Sequence, residues 1–85
     1  ALRGRRVLIT GAGGSIGSEL AHVVAQADPA EIVLLERSEN ALFQIDHALG
    51  RRFPGVPRRA VLHDVVNETQ TLRLFHQLRP EAVFH

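Results

Sequence analysis

Val7-Leu8-Ile9-Thr10-Gly11-Ala12-Gly13-Gly14-Ser15-Ile16-Gly17 decides how the rest of the chain is read. Its aliphatic, β-branched run predicts a buried strand, the glycines predict a tight turn, and the periodicity after them predicts a helix. The first amides of a helix have no partners within it and carry the positive end of its dipole, so such a junction suits an anion. Glycines at 11, 14 and 17 let the backbone turn sharply, approach a pyrophosphate closely and pack the new helix against the strand. The stretch therefore reads as a cradle for the diphosphate of a dinucleotide. Its expected contacts are Gly11, Gly13, Gly14, Ser15, Ile16 and Gly17. A ligand-free glycine loop would fit three isolated glycines, but it fits poorly when they follow an apolar strand and open a helix.

Working outward, Ala1 to Arg6 is a polar lead-in to the strand. Beyond the turn, Ser15 is expected to cap the first helix, with Ile16, Leu20, Val23, Val24 and Ala27 on its buried stripe and Asp28-Pro29 as its end. Glu31-Ile32-Val33-Leu34-Leu35-Glu36 is apolar throughout its middle, as a parallel strand covered on both faces should be. Ser38 is placed to cap a second helix with Leu42, Ile45 and Leu49 inside and Gly50 as its stop. An arginine- and proline-rich loop over 51–59 leads to a third strand over 60–65. Asn67 and Gln70 have capping-box spacing ahead of a third helix with Leu72, Phe75 and Leu78 inside, and 81–85 starts a fourth strand. Strict alternation of strand and helix predicts an α/β fold: a Rossmann-type parallel sheet with right-handed crossovers, β-α-β-α-β-α-β in the order 3-2-1-4. Residues 1–85 would then be one partial dinucleotide-binding domain, its adenosine half, with an open apolar edge at strand four that invites self-association.

Three further positions bear on the ligand. Glu36 ends the second strand about twenty residues after Gly17, where an acid can accept from both adenosine ribose hydroxyls; the alternative is a strand-end charge facing water. A 2′-phosphate about 4 Å from that carboxylate would be repelled by up to roughly 4 kcal/mol at an effective dielectric near 20. Arg37 can offset the repulsion by pairing with the phosphate and Ser38 by hydrogen bonding, so NAD is favoured over NADP with weak discrimination. Asp64 and Val65 close the third strand on the side where ligands of parallel sheets lie. Asp64 can accept from the adenine amino group, with Val65 as an apolar wall, or it can simply open a turn toward Asn67.

Composition narrows the classes. Eighty-five residues make at most one small domain, able to bury about two thirds of its unfolded surface. No cysteine is present, which removes disulfides and thiolate metal sites and suits a reducing cytoplasm. No apolar run approaches a membrane span and no leader opens the chain, so the segment is expected to be soluble. A formal charge of +1 is too small to indicate nucleic acid, and Arg51-Arg52 and Arg58-Arg59 read as a solvated loop without interleaved aromatics. His22, His47 and His76 fall on different predicted helices, while His63 and His85 fall near strand ends, so no metal-ligand spacing emerges.

Thr10-Gly11-x-x-Gly14-x-x-Gly17 resembles the pattern of the extended short-chain dehydrogenase/reductases. With Arg6 to Leu20, Glu36-Arg37-Ser38-Glu39-Asn40, Asp64-Val65 and Arg79 to His85, the chain is similar to the polysaccharide biosynthesis family that includes UDP-N-acetylglucosamine 4,6-dehydratases. It departs from that pattern in carrying Glu36 where aspartate is common, His63 where glycine is usual, and Val66-Asn67 where an arginine-aspartate pair is usual. The resemblance implies an enzyme that oxidises C4 of a UDP-sugar with bound NAD(P)+, eliminates water across C5 and C6, and returns the hydride at C6. It also implies a Tyr-x-x-x-Lys pair for acid-base chemistry and membrane anchoring of full-length relatives at the inner, cytoplasmic face. Neither tyrosine nor lysine occurs here, so no catalytic residue can be assigned and the chain alone should be inactive. Two classes follow: the adenosine half of a nucleotide-sugar dehydratase, epimerase or reductase, or a stand-alone dinucleotide-binding module.

Overall fold

Strand and helix alternate along the whole chain in the computed structural model, which describes residues 1–85: β1 (Arg6–Thr10), α1 (Ser15–Gln26), β2 (Glu31–Glu36), α2 (Glu39–Arg52), β3 (Arg58–Leu62), α3 (Glu68–Leu78) and β4 (Ala82–Phe84). All strand pairs are parallel and the sheet order is β3-β2-β1-β4, as the alternation predicts. Chain direction therefore places the carboxyl ends of β1, β2 and β3 along one rim, where ligands of such sheets bind.

The two central strands are buried on both sides because their side chains alternate between two cores. Val7, Ile9, Ile32 and Leu34 pack with Ala21, Val24 and Ala25 of α1 and with Leu42, Ile45 and Leu49 of α2. Leu8, Val33 and Leu35 face the other way, onto Leu78, Leu74 and Phe75 of α3. At the opposite rim, Arg6 and Glu31 are register partners with Nε and Oε1 3.0 Å apart, and Arg59 reaches the second carboxylate oxygen at 3.4 Å. Arg6 Nε and Glu31 Oε1 attract as charges but are not aligned as donor and acceptor, so the firm bond of this arginine is from Nη1 to the Leu78 carbonyl at 2.8 Å.

Several local expectations are corrected. Gly14, not Ser15, is the N-cap of α1, and no side chain caps that helix. Its buried stripe is Ala21, Val24 and Ala25, whereas Ile16 and Val23 are exposed: small residues let α1 lie close to the sheet, and the bulky ones point away. Gly50 does not stop α2, which runs to Arg52; the Arg58 guanidinium passes over the space a side chain at position 50 would fill. The third strand begins two residues early, at Arg58, and ends at Leu62, because pairing with Ile32 and Val33 draws two arginines into an edge strand that tolerates charge. On α3 the inner residues are Leu74, Phe75 and Leu78, and Leu72 is exposed. The side chains of Ser38 and Asn67 cap their helices, accepting from Ala41 N at 3.3 Å and Gln70 N at 3.1 Å, but the capping box at Asn67 is not completed because the Asn67 amide donates to the Asp64 carbonyl.

Candidate functional site

A cleft of about 370 Å³ opens at the carboxyl rim, lined by Gly11, Gly14, Glu36, Arg37, His63, Asp64, Val65 and Val66. Its volume is in the range of small-molecule sites. Six of the sequence-predicted positions meet here: two glycines of the turn after β1, Glu36 and Arg37 at the end of β2, and Asp64 and Val65 after β3. Gly13, Ser15, Ile16, Gly17 and Ser38 do not line the cleft; Gly13 and Ser15 flank Gly14, and Ser38 follows Arg37.

The glycines divide the work. Gly11 has φ +61°, the left-handed region that favours glycine, and starts the turn. A Cβ on Gly17 would lie 2.0 Å from the Gly11 carbonyl oxygen, so glycine there is what lets α1 start against the turn. A Cβ on Gly13 would lie 2.6 Å from Ala41 Cβ, so Gly13 makes room for α2. Gly11 and Gly14 both line the cleft; a Cβ on Gly11 would meet nothing within 4 Å and is opposed only by the positive φ, whereas one on Gly14 would meet Gly11 O at 3.3 Å, a tight contact. Ser15, Ile16 and Gly17, the first three residues of α1, donate their amides to no protein acceptor, and no side chain caps them. By contrast α2 and α3 start on side-chain caps. The amino end of α1 is thus an unsatisfied donor cluster beside the cleft.

Glu36 is 8% exposed, which excludes the reading of a strand-end charge facing water. Its Oε1 accepts from the Gly13 amide at 2.8 Å and its Oε2 from the Ser38 amide at 2.9 Å. One carboxylate therefore ties the glycine turn to the start of α2. The Gly13 amide is consumed in this bond, so Gly13 offers no free donor and contributes by its close packing on Ala41. A carboxylate has about four acceptor positions, and two remain for a ligand. Arg37 is exposed on the rim and forms no ion pair, leaving its guanidinium free toward an anion. Ser38 is occupied as a cap, although its hydroxyl proton is still available.

Asp64 takes up the turn that the sequence allowed: its Oδ1 accepts from Val66 N at 3.1 Å and its carbonyl from Asn67 N at 3.3 Å. Oδ2 is uncommitted, so the turn and a ligand contact are compatible on one side chain. Sequence reasoning missed Val66 and gave His63 no role. His63 had a usable signal in its place at a strand end on the ligand rim, whereas nothing in the spacing marks Val66. Of the remaining histidines, His22 lies edge-on to Phe53, His47 stacks on Phe43, and His85 Nδ1 lies 3.2 Å from Thr10 Oγ1.

A parallel sheet with a glycine turn, an uncapped helix start and an acid closing the second strand defines the Rossmann class of NAD(P)-binding folds. L-sorbose reductase from Gluconobacter frateurii, solved in complex with NADPH and L-sorbose, superposes with a TM-score of 0.78 at 26% identity, over 93% of this chain and 29% of the reductase. The chain belongs to the polysaccharide biosynthesis protein family, whose pattern matches residues 7–85. It is 41% identical to the capsular polysaccharide biosynthesis protein CapD of Staphylococcus aureus and 36% identical to the probable polysaccharide biosynthesis protein EpsC of Bacillus subtilis (strain 168). Both matches cover 99% of this chain and 14% of the relative, so the chain spans about a seventh of those proteins. No helix is long and apolar enough to cross a membrane.

Proposed function

We propose that the chain holds the adenosine and diphosphate part of NAD for a nucleotide-sugar 4,6-dehydratase acting on a UDP-N-acetylhexosamine. The observation that carries the binding half is the set of three unaccepted amides at Ser15, Ile16 and Gly17 beside a cleft that contains the buried carboxylate of Glu36. On this reading the amides and the dipole of α1 take the diphosphate, and the free acceptor positions of Glu36 take the ribose diol. Asp64 Oδ2 takes the adenine amino group, and Val65 lies along the base. NAD is preferred to NADP because both oxygens of Glu36 are held by backbone amides and cannot swing away from a 2′-phosphate. Arg37 weakens that preference by pairing with the phosphate.

The dehydratase half rests on the family and on the residues quoted for the resemblance. When bound, the nicotinamide would take and return a hydride; this chain's own residues bind and orient the nucleotide end. No residue here is assigned to acid-base chemistry, and the 85 residues alone are expected to turn over no sugar. A nucleotide-sugar epimerase or reductase would use the same cradle, as would a non-catalytic module. The longer protein is proposed to sit at the cytoplasmic face of a membrane, and the isolated segment to self-associate through β4. Calorimetric titration with NAD and NADP tests the cradle: saturable NAD binding, tighter than NADP, is expected, and absence of binding to either would overturn it. Incubating the longer protein with UDP-N-acetylglucosamine and following loss of water by mass tests the reaction. A product of unchanged mass would point to epimerisation instead.

A further inference from the structure

The cleft wall formed by Asp64, Val65 and Val66 has no regular structure of its own, lying between β3 and α3. Its internal bonds, from Val66 N to Asp64 Oδ1 and from Asn67 N to the Asp64 carbonyl, shape the turn but do not fix it to the sheet. His63 ties it to the sheet at one point and to α3 at another. Its amide donates to the Glu36 carbonyl at 3.0 Å, extending the β2-β3 ladder one bond past Leu62. Its ring Nε2 lies 2.7 Å from Thr71 Oγ1 in the first turns of α3.

Thr71 Oγ1 is also 2.7 Å from the Asn67 carbonyl and 3.3 Å from the Val65 carbonyl. The Asn67 carbonyl can only accept, so both 2.7 Å contacts are hydrogen bonds only when the hydroxyl proton goes to that carbonyl and Oγ1 accepts from His63. The hydrogen-bond pattern therefore assigns the imidazole proton to Nε2. One half-buried ring thus links the strand that carries Glu36 to a hydroxyl bonded to the Asn67 carbonyl, with the Val65 carbonyl 3.3 Å away.

We infer that His63 is a positioning residue for the nucleoside end of the cleft, acting through Thr71 to set the distance between the Glu36 wall and the Asp64–Val66 wall. The inference rests on the dinucleotide reading above. It adds that base and ribose affinity, unlike diphosphate affinity, depends on the His63–Thr71 bond. The test compares NAD and AMP by calorimetry with inorganic pyrophosphate followed through the amide signals of residues 14–17 in ¹⁵N spectra. His63→Ala is expected to weaken NAD and AMP by the same factor, about two- to tenfold for one hydrogen bond, and to leave pyrophosphate unchanged. Thr71→Val should reproduce that loss and Thr71→Ser, which keeps the hydroxyl, should restore it. If His63→Ala does not fold, the Thr71 pair decides alone. Unchanged AMP affinity in the folded His63 or Thr71→Val variant overturns the inference, as does an equal loss of pyrophosphate binding. A wild-type chain that binds neither NAD nor AMP would instead bring down the dinucleotide reading itself.

Discussion

Glu36 ties the glycine turn to the start of α2 with the carboxylate proposed to hold the ribose, and substitutions can separate the two roles. Replacing it by glutamine turns one acceptor into a donor facing a backbone N–H, leaving that part-buried amide unsatisfied. Glu36→Gln is therefore expected to lower stability by about 1–3 kcal/mol in urea unfolding. Glu36→Ala should cost more and should also shift cofactor preference toward NADP; an unchanged NAD to NADP affinity ratio would remove the ribose role. The glycines allow a similar separation. Gly17→Ala drives a methyl into the Gly11 carbonyl and should destabilise by about 1–3 kcal/mol. Gly14→Ala meets only a 3.3 Å neighbour and should cost about 1 kcal/mol or less. If its methyl displaces one phosphate hydrogen bond, Gly14→Ala lowers NAD affinity by about ten- to hundredfold. The spacing of the glycines is visible in the sequence, but their division of labour is not. What Gly13 and Gly17 avoid are contacts with Ala41 and Gly11 that exist only after folding.

Elements were legible in type and order because strand and helix periodicities differ and each helix is preceded by turn chemistry that local bonds confirm at Ser38 and Asn67. The errors lie where tertiary contact overrides local preference. On α1 the larger apolar residues suggested the buried stripe, but close approach to the sheet selects Ala21 and Ala25 and leaves Ile16 73% exposed. At the end of α2, glycine looked like a stop. Inside the helix it instead gives passage to Arg58, whose Nε donates to Asp46 Oδ1 at 2.7 Å. Gly50→Ala should consequently gain helix propensity of about 1 kcal/mol while displacing only the flexible end of one arginine. The half-exposed Arg58–Asp46 pair it disturbs contributes at most about 1 kcal/mol, so melting should show a change between zero and a slight stabilisation. A loss above about 1 kcal/mol would mean that the arginine anchors β3 more firmly than an exposed pair can.

The two edges of the sheet differ in a way that sets how whole molecules meet. β3 opens with Arg58 and Arg59, and like charges on an edge discourage another strand from pairing there. β4 is Ala82-Val83-Phe84, with no charge along its three residues and Val83 36% exposed. Its outer side offers unpaired backbone groups beside apolar side chains, so two chains in solution should pair through β4 rather than β3. The sequence announced this edge, since an apolar run at 82–84 follows the third helix. It did not announce that the arginines of 58–59 would lie on a strand and guard the opposite side. Light scattering on the isolated segment should therefore show a mass that rises with concentration. Val83→Lys should bring that mass back to the monomer and change stability by no more than about 1 kcal/mol, because the side chain it replaces is already partly in water. In a longer protein the same edge is where a further parallel strand would add, and the association should then disappear without any substitution. Association that persists in Val83→Lys but is lost when Arg58 and Arg59 are replaced would place the contact on β3 and refute the role given to its charges.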